Sequence, residues 1–470
     1  MSFSLSDLKA IYFCTGARNH DLLKIFSEEK LRFEIDERIA SFKALGLAKG
    51  LKAPVAICTT SGTAVSECLS AMLEAKYSGV PLVLITGDRP KKQHGTGAPQ
   101  TIDHEALTRD IRGSYLEVSL GEFKDLGLDQ VSYPLHINVL VDDTVAHKGM
   151  ALKTKDLNHA REFFFLHQSP LFLFSHEAQS MRPFVERFAK LGIPFYAESL
   201  SGARDLSPLR TERDLVSAFR SGKFDSVVRV GHTPLSKVWR LLENRFTPVL
   251  SFDDRGLSGL SYGTIFPLSS GELLESREFW EFLQKPFTYE KLPDGSLELE
   301  TLIKKYPISE ISTFRKITEV LPQNAMVYLG NSLVIRYFEL VQQKPFQVFA
   351  NRGVNGIDGQ LASAIGLATS TKEKVYCLLG DLTTWYDLSS LADLPKNLHL
   401  IIMNNGGGRI FDTLNLDKRI VLEHNRNFAA ISRAFNLSYS DSWSDWGKVQ
   451  VLELAPELNS SEAFRKEWAP

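Results

Sequence analysis

Asp381 and Asn405 are the residues of this 470-residue chain whose type and spacing most clearly permit chemistry. Asp381 follows an apolar run, Val375–Leu379, and Gly380. The tetrad Asn404-Asn405-Gly406-Gly407 follows a second apolar run, Leu398–Met403. Two parallel strands joined by a helix bring both carboxyl ends to one sheet edge, where ligands of open α/β sheets bind. A carboxylate, an asparagine amide oxygen and the carbonyl of Gly407 can then converge. Hard oxygen donors of this kind suit Mg²⁺ or Mn²⁺. A helix starting near Thr383 adds N–H groups and a positive dipole end suited to a diphosphate. The plainer reading is an ordinary βαβ unit with a polar loop at each strand end, because Gly-Asp and Asn-Asn are common turn dipeptides.

A second candidate is Glu37, which opens a helix directly after the expected strand Leu31–Ile35. Acids are also enriched in first helical turns for dipole reasons alone, so Glu37 has a purely structural reading too. Ser332 and Arg336, four residues apart at a strand-to-helix turn, share one helix face. Arg352 lies at the next strand end. Guanidinium forks match carboxylates, although loop arginines are also ordinary solvated charges. Gly259-Leu260-Ser261-Tyr262-Gly263 formally fits a serine-nucleophile elbow. That elbow needs a strand directly before and a helix directly after, and neither is expected here. Neither G-x-G-x-x-G nor G-x-x-x-x-G-K-[ST] occurs, so phosphate binding must use the loops already named.

The elements that position these residues alternate strand and helix. Strands are expected at Ala10–Cys14, Leu31–Ile35, Val55–Cys58 and Leu82–Thr86, with helices from about Asn19, over Glu37–Lys49 and over Thr63–Tyr77. A weaker pattern places strands at Leu171–Ser175, Pro194–Tyr196, Ser226–Val230 and Pro248–Phe252. The aromatic run EFFFLHQSPLFLF, ending at Phe174, reads as one buried strand, and 288–300 as a linker. Strands resume at Met326–Leu329, Gln347–Ala350, Val375–Leu379, Leu398–Met403 and Val449–Leu454. The fold class is therefore α/β, with two doubly wound parallel-sheet domains, 1–150 and 296–470, flanking a smaller α/β domain, 151–295. A net charge of −2 gives no basic field for nucleic acid. Four cysteines without C-x-x-C spacing read as buried free thiols of a reducing cytoplasm. No signal-peptide pattern and no membrane-length apolar run is present.

Nine segments in order carry a resemblance: CTGARN around Arg18, FEIDER with Glu37, TTSGTAVSE at 59–67, ITGDRP with Arg89, GAPQ ending at Gln100, LGNSLVIR at 329–336, NRGVNGIDG at 351–359, GDLTTWYDL at 380–388 and NNGGGRIF at 404–411. Together they resemble the 2-succinyl-5-enolpyruvyl-6-hydroxy-3-cyclohexene-1-carboxylate (SEPHCHC) synthase, or MenD, family of thiamine-diphosphate enzymes, over residues 1–105 and 325–415. The resemblance implies a transferase of menaquinone biosynthesis. It would decarboxylate 2-oxoglutarate on thiamine diphosphate and add the succinyl group to isochorismate in a 1,4 sense, releasing CO₂. Glu37 would face N1′ of the aminopyrimidine, Ile357 would bend the cofactor, and Gly380, Leu382 and Thr383 would line its diphosphate. Asp381, Asn405 and the Gly407 carbonyl would hold the metal. Ser332, Arg336 and Arg352 would bind 2-oxoglutarate. Arg18, Arg89, Gln100 and Lys237 would meet isochorismate, and Ile410 and Phe411 would line the pocket. The family further implies a homodimer or homotetramer in which Glu37 and Asp381 come from different subunits. Three features depart from the family: Val238 stands where an arginine is expected beside Lys237, Gly406 replaces a third asparagine, and the chain is short in its middle and C-terminal parts. The neighbouring alternative is another thiamine-dependent 2-oxo acid decarboxylase or acetolactate-synthase-like carboligase; more distant ones are a serine hydrolase and a silent scaffold.

Overall fold

The computed structural model describes residues 3–141, 151–177, 180–243, 245, 247–413 and 417–468; the expected boundary after residue 150 lies outside them. Strands β1 (Ile11–Cys14), β2 (Leu31–Glu34), β3 (Val55–Thr60), β4 (Leu82–Asp88), β5 (Ser114–Ser119) and β6 (Leu135–Leu140) form a parallel sheet in the order β2-β1-β3-β4-β6-β5. A second parallel sheet contains β7 (Ala151–Lys153), β8 (Pro170–Phe174), β9 (Phe195–Ala197), β10 (Ser226–Val230), β11 (Val249–Phe252) and β12 (Gly263–Phe266), in the order β9-β8-β10-β11-β12-β7. The third contains β13 (Met326–Leu329), β14 (Gln347–Phe349), β15 (Val375–Gly380), β16 (Leu398–Met403), β17 (Tyr439–Ser440) and β18 (Val451–Leu454), in the order β14-β13-β15-β16-β18-β17. The first and third sheets thus share one strand order.

The composition of the central strands explains why they are parallel and covered. Every residue of β3 and β4 is buried, as expected of strands with helices on both faces. Helix Glu37–Leu51 is capped by Asp36, whose carboxylate accepts from the Ile39 N–H at 2.9 Å. Its buried stripe contains Ala40, Ala44 and Ala48, small enough for the helix to lie close against β1 and β3. That cap makes Glu37 the first helical residue and aims it at the carboxyl edge of the sheet.

The structure corrects several expected elements. The run expected as one buried strand is a helix, Asn158–Leu166, followed by β8. Phe164 is buried while Phe165 is 77% exposed, a helical rather than alternating pattern. The Asp225 carboxylate accepts from the N–H groups of Gln168 and Ser169 and holds the turn between the two elements. The expected linker becomes helical at Ser296, where the Asp294 carboxylate accepts the Ser296 N–H at 3.0 Å. The expected helix Thr63–Tyr77 is two segments, Thr63–Glu67 and Leu69–Ser78, and the helix expected near Thr383 begins at Asp381.

Cys14, Cys58, Cys68 and Cys377 are free and buried, three in strands and Cys68 between two helices, and burial pushes all four thiols up. Native protein should therefore give no rapid reaction with an aromatic disulfide reagent, and four thiols after unfolding in denaturant. A fast native thiol would contradict this packing.

Candidate active site

The order β2-β1-β3 places a crevice between β1 and β3, whose outgoing connections run to opposite faces of the sheet, and β14-β13-β15 does the same in the third sheet. The two crevices face each other across one cavity of about 280 Å³. Arg18 follows β1, Ser61 and Thr63 follow β3, Asn331 and Ser332 follow β13, and Asp381 follows β15; all line it. The site is thus a direct consequence of strand order.

One end of the cavity is built for a cation and a diphosphate. Asp381 is 2% exposed; its Oδ1 accepts the Leu382 N–H at 2.6 Å and its Oδ2 accepts the Gly407 N–H at 2.9 Å. The Asn405 amide donates through Nδ2 to Glu310 Oε1 at 3.0 Å, leaving its buried Oδ1 without a partner. Gly407 has φ +139°, and a Cβ there would lie 2.7 Å from the Val421 carbonyl oxygen, so only glycine fits beneath that segment. The Gly407 carbonyl accepts the Arg409 N–H at 2.8 Å and keeps a second lone pair. Gly407 itself stands behind the cavity wall, to which Gly380, Leu382, Thr383 and Gly408 contribute. An orphaned amide oxygen beside a buried carboxylate, at the start of helix Asp381–Tyr386, fits Mg²⁺ or Mn²⁺ with a diphosphate.

Glu37 lies in the opposite wall and accepts a hydrogen bond from the Tyr386 hydroxyl at 2.9 Å. Burial pushes its carboxyl up to about 7, against the lowering effect of its backbone and Tyr386 hydrogen bonds, and nearby Asp358 and Asp36 push it further up. Thr63 Oγ1 donates to Asp358 Oδ1 at 2.6 Å, a second bond between the first and third sheets' loops. Ile357 lies beside it on the cavity wall. Glu37 and Asp381 line the same cavity. Because the two crevices face each other within the chain, one chain supplies both.

The other end is cationic. Ser332 takes φ +70° as it caps helix Leu333–Val341, and Arg336 Nη1 donates to its carbonyl. Arg352 Nη1 donates to Asn331 Oδ1 at 2.7 Å. Burial lowers the Arg336 guanidinium to about 10 and Arg352 to about 9; Arg240 adds to the first effect and Arg336 to the second. Three guanidinium groups held close enough to disfavour one another's charge make a site for an anion. Arg89 and Gln100 lie nearby on the wall. Arg89 is held by the Pro99 carbonyl at 2.7 Å and by Gln93 Oε1 at 2.8 Å. Ile410 and Phe411 also line the cavity.

Lys237 does not join them. It is exposed at the first turn of helix Lys237–Leu242 and is absent from the cavity wall, while Val238 is buried in the core of the second sheet. Arg240, one helical turn beyond Lys237, lines the cavity instead. The i,i+3 spacing was the available signal for it. Glu310 is also on the wall, and nothing in its local sequence singles it out.

The serine-nucleophile reading fails on geometry. Ser261 is buried, its hydroxyl donates to Glu243 at 2.8 Å, and a strand, β12, follows instead of a helix. Among the described residues, one cluster of three potential metal-ligating side chains, His232, Asp253 and Asp254, lies elsewhere. Its central Asp253 already faces Arg229 at 3.3 Å and Arg255 at 3.2 Å, which offsets its charge.

Comparison with known proteins bears on the same site. Residues 5–107 match the family model "Thiamine pyrophosphate enzyme, N-terminal TPP binding domain". A 2-succinyl-5-enolpyruvyl-6-hydroxy-3-cyclohexene-1-carboxylate synthase from Bdellovibrio bacteriovorus is 32% identical over 98% of this chain and 95% of its own length. One from Akkermansia muciniphila is 30% identical over 96% of this chain and 94% of its own. A solved structure of a candidate thiamin diphosphate-dependent enzyme from Mycobacterium smegmatis covers 96% of this chain and 97% of its own at TM-score 0.46 and 15% identity.

The raised Glu37 carboxyl has a sign-definite consequence for stability. The folded state binds its proton more tightly than the unfolded state. Stability from this group is therefore full below the unfolded value of 4.5 and is lost as pH rises through about 7. Glu37→Gln should melt higher than the wild type at pH 8, by an amount on the order of 3 kcal/mol at most, with the gap closing towards pH 4.5. Equal melting temperatures at pH 8 would mean that Glu37 carries no burial penalty.

Proposed function

The chain belongs to the 2-succinyl-5-enolpyruvyl-6-hydroxy-3-cyclohexene-1-carboxylate synthase family, and we propose that its cavity performs that family's reaction through the residues named below. It is a thiamine-diphosphate-dependent transferase of menaquinone biosynthesis, joining the succinyl part of 2-oxoglutarate to isochorismate with loss of CO₂. The observation that carries the residue assignment is the meeting of Glu37, Asp381, Asn405 and the arginine cluster on one cavity.

Thiamine diphosphate, when bound, supplies the carbon nucleophile and the electron sink for decarboxylation. Asp381, Asn405 Oδ1 and the Gly407 carbonyl would hold Mg²⁺ or Mn²⁺, with the start of helix Asp381–Tyr386 facing the diphosphate. Glu37, with a carboxyl at about 7, holds a proton for the aminopyrimidine N1′, and the Tyr386 hydroxyl fixes its orientation. Ile357 is the apolar wedge against the cofactor rings. Arg336, Arg352 and Ser332 take the distal carboxylate of 2-oxoglutarate. Arg18, Arg89 and Gln100 meet isochorismate, and Arg240 supplies the cation that Lys237 does not. Ile410 and Phe411 close the apolar wall and exclude water. With three guanidinium groups, the site favours dicarboxylates, which supports this substrate pair over a monocarboxylate decarboxylase.

The domain limits proposed are 1–150, 151–295 and 296–470, and the compartment proposed is the cytoplasm, in keeping with four buried free thiols. Among the described residues no helix is long and apolar enough to cross a membrane. Homodimer or homotetramer formation is supported by the exposed Ile39 and Phe42 of helix Glu37–Leu51 and by Leu73 and Tyr77 of the adjoining helix Leu69–Ser78.

Protein mixed with thiamine diphosphate, Mg²⁺, 2-oxoglutarate and isochorismate should consume isochorismate absorbance and form the succinyl adduct by mass, in a cofactor-dependent way. CO₂ release without adduct would instead favour another carboligase. Glu37→Gln should lower turnover at least about 100-fold. Arg336→Ala should raise the apparent KM for 2-oxoglutarate about 30-fold, the equivalent of about 2 kcal/mol for truncating one partner of a buried charge pair; an unchanged KM would remove its carboxylate role. Since one chain carries both Glu37 and Asp381 on one cavity, mixing Glu37→Gln with Asp381→Ala protein should restore no activity. Recovery would show that copies exchange the two halves of the site.

A further inference from the structure

Glu310 is a buried carboxylate on the cavity wall with no part in the steps above. It opens helix Glu310–Val320, and its backbone N–H donates to Ser461 Oγ at 2.9 Å, which ties that helix start to the C-terminal helix Leu458–Trp468. Its Oε1 accepts from Asn405 Nδ2 at 3.0 Å, and both side chains are buried. An amide has one face that donates and one that accepts. With the donor face spent on Glu310, the acceptor Oδ1 must turn the other way, and there it has no partner. Flipping the amide would set Oδ1 against the Glu310 carboxylate, two acceptors about 3 Å apart in a low-dielectric setting. A neutral, apolar residue at 310 would accept no hydrogen bond from Nδ2 and would no longer hold the amide in that orientation.

We propose that Glu310 is a positioning residue for the metal site: through Asn405 Nδ2 it fixes the amide in the orientation that presents Oδ1 as a metal ligand. The inference rests on the thiamine-diphosphate reading of the cavity. Outer contacts of this kind orient ligands in known metal sites, and their loss typically weakens metal binding 10–100-fold. Asp381 needs no such device, because either carboxylate oxygen can serve and its two oxygens already accept the N–H groups of Leu382 and Gly407.

The test is metal affinity, read by titration calorimetry of Mg²⁺ into protein saturated with thiamine diphosphate. Glu310→Gln keeps an acceptor for Asn405 Nδ2, whereas Glu310→Met has nearly the same shape without one. The expected result is wild-type affinity within about threefold for Glu310→Gln and a loss of roughly tenfold or more for Glu310→Met. Wild-type affinity in Glu310→Met would overturn the proposal. Equal losses in both variants would also overturn it, since the acceptor would then not be what matters. Should Glu310→Met fail to melt cooperatively, Glu310→Ala carries the same comparison with Glu310→Gln. Absence of Mg²⁺ and thiamine diphosphate binding in the wild type would overturn the functional reading itself, and the proposal with it.

Discussion

Buried carboxylates gathered around one shared cavity are the constraint on which the rest of the site depends. Glu37 and Glu310 both have carboxyl groups pushed up to about 7 by burial, and Asp381 is almost wholly enclosed. Each would be expensive to bury alone. They persist because each has hydrogen-bond donors: Tyr386 for Glu37 and Asn405 for Glu310, both from distant parts of the chain, and the N–H groups of Leu382 and Gly407 for Asp381. The Tyr386–Glu37 bond, together with Thr63–Asp358, also ties the loops of the first and third sheets together.

The shared strand order of those two sheets explains why this is possible at all. Each offers one crevice, and a ligand larger than one crevice needs two. The middle sheet contributes differently. Helix Lys237–Leu242 brings Arg240 to the cavity, and Glu198 of the same unit lies near Arg352. Burial and the neighbouring Glu339 raise the Glu198 carboxyl, so a protonatable pair sits behind the arginines. The cavity is therefore polarised, with oxygen donors for a cation at one end and guanidinium groups for anions at the other. Positioning of charged substrates between fixed charges can account for much of the selectivity without dedicated acid–base side chains.

Much of this was legible from sequence because it is written in local signals. Apolar runs of five or six residues ending in Gly-Asp or Asn-Asn mark strand ends, and Asp36-Glu37 after an apolar run marks a capped helix start. Strands β5, β6, β7, β12 and β17 were not foreseen: β7 and β17 have three residues or fewer, β5 and β12 mix polarity, and β6 carries His136 and Asn138 within its apolar run. The aromatic run before β8 misled for a different reason: three consecutive phenylalanines mask the helical spacing that burial reveals. Glu310 was invisible because its role depends on Asn405, a contact across 95 residues that no window of sequence contains.

Lys237 and Arg240 show how a family correspondence and a physical one can part. Matching motif to motif assigns the substrate contact to position 237 and marks Val238 as a loss. In the folded chain, Val238 packs against the second sheet with no exposed surface, so the face of its helix that bears Val238 cannot look into the cavity. Position 240 lies three residues past 237, close to one helical turn, and its longer side chain with a planar fork spans the remaining distance to the cavity wall. The cation on the cavity wall at this point is Arg240, one helical turn beyond position 237. A helix can deliver the same charge from either of two successive turns, and here it delivers Arg240 while Val238 packs into the core.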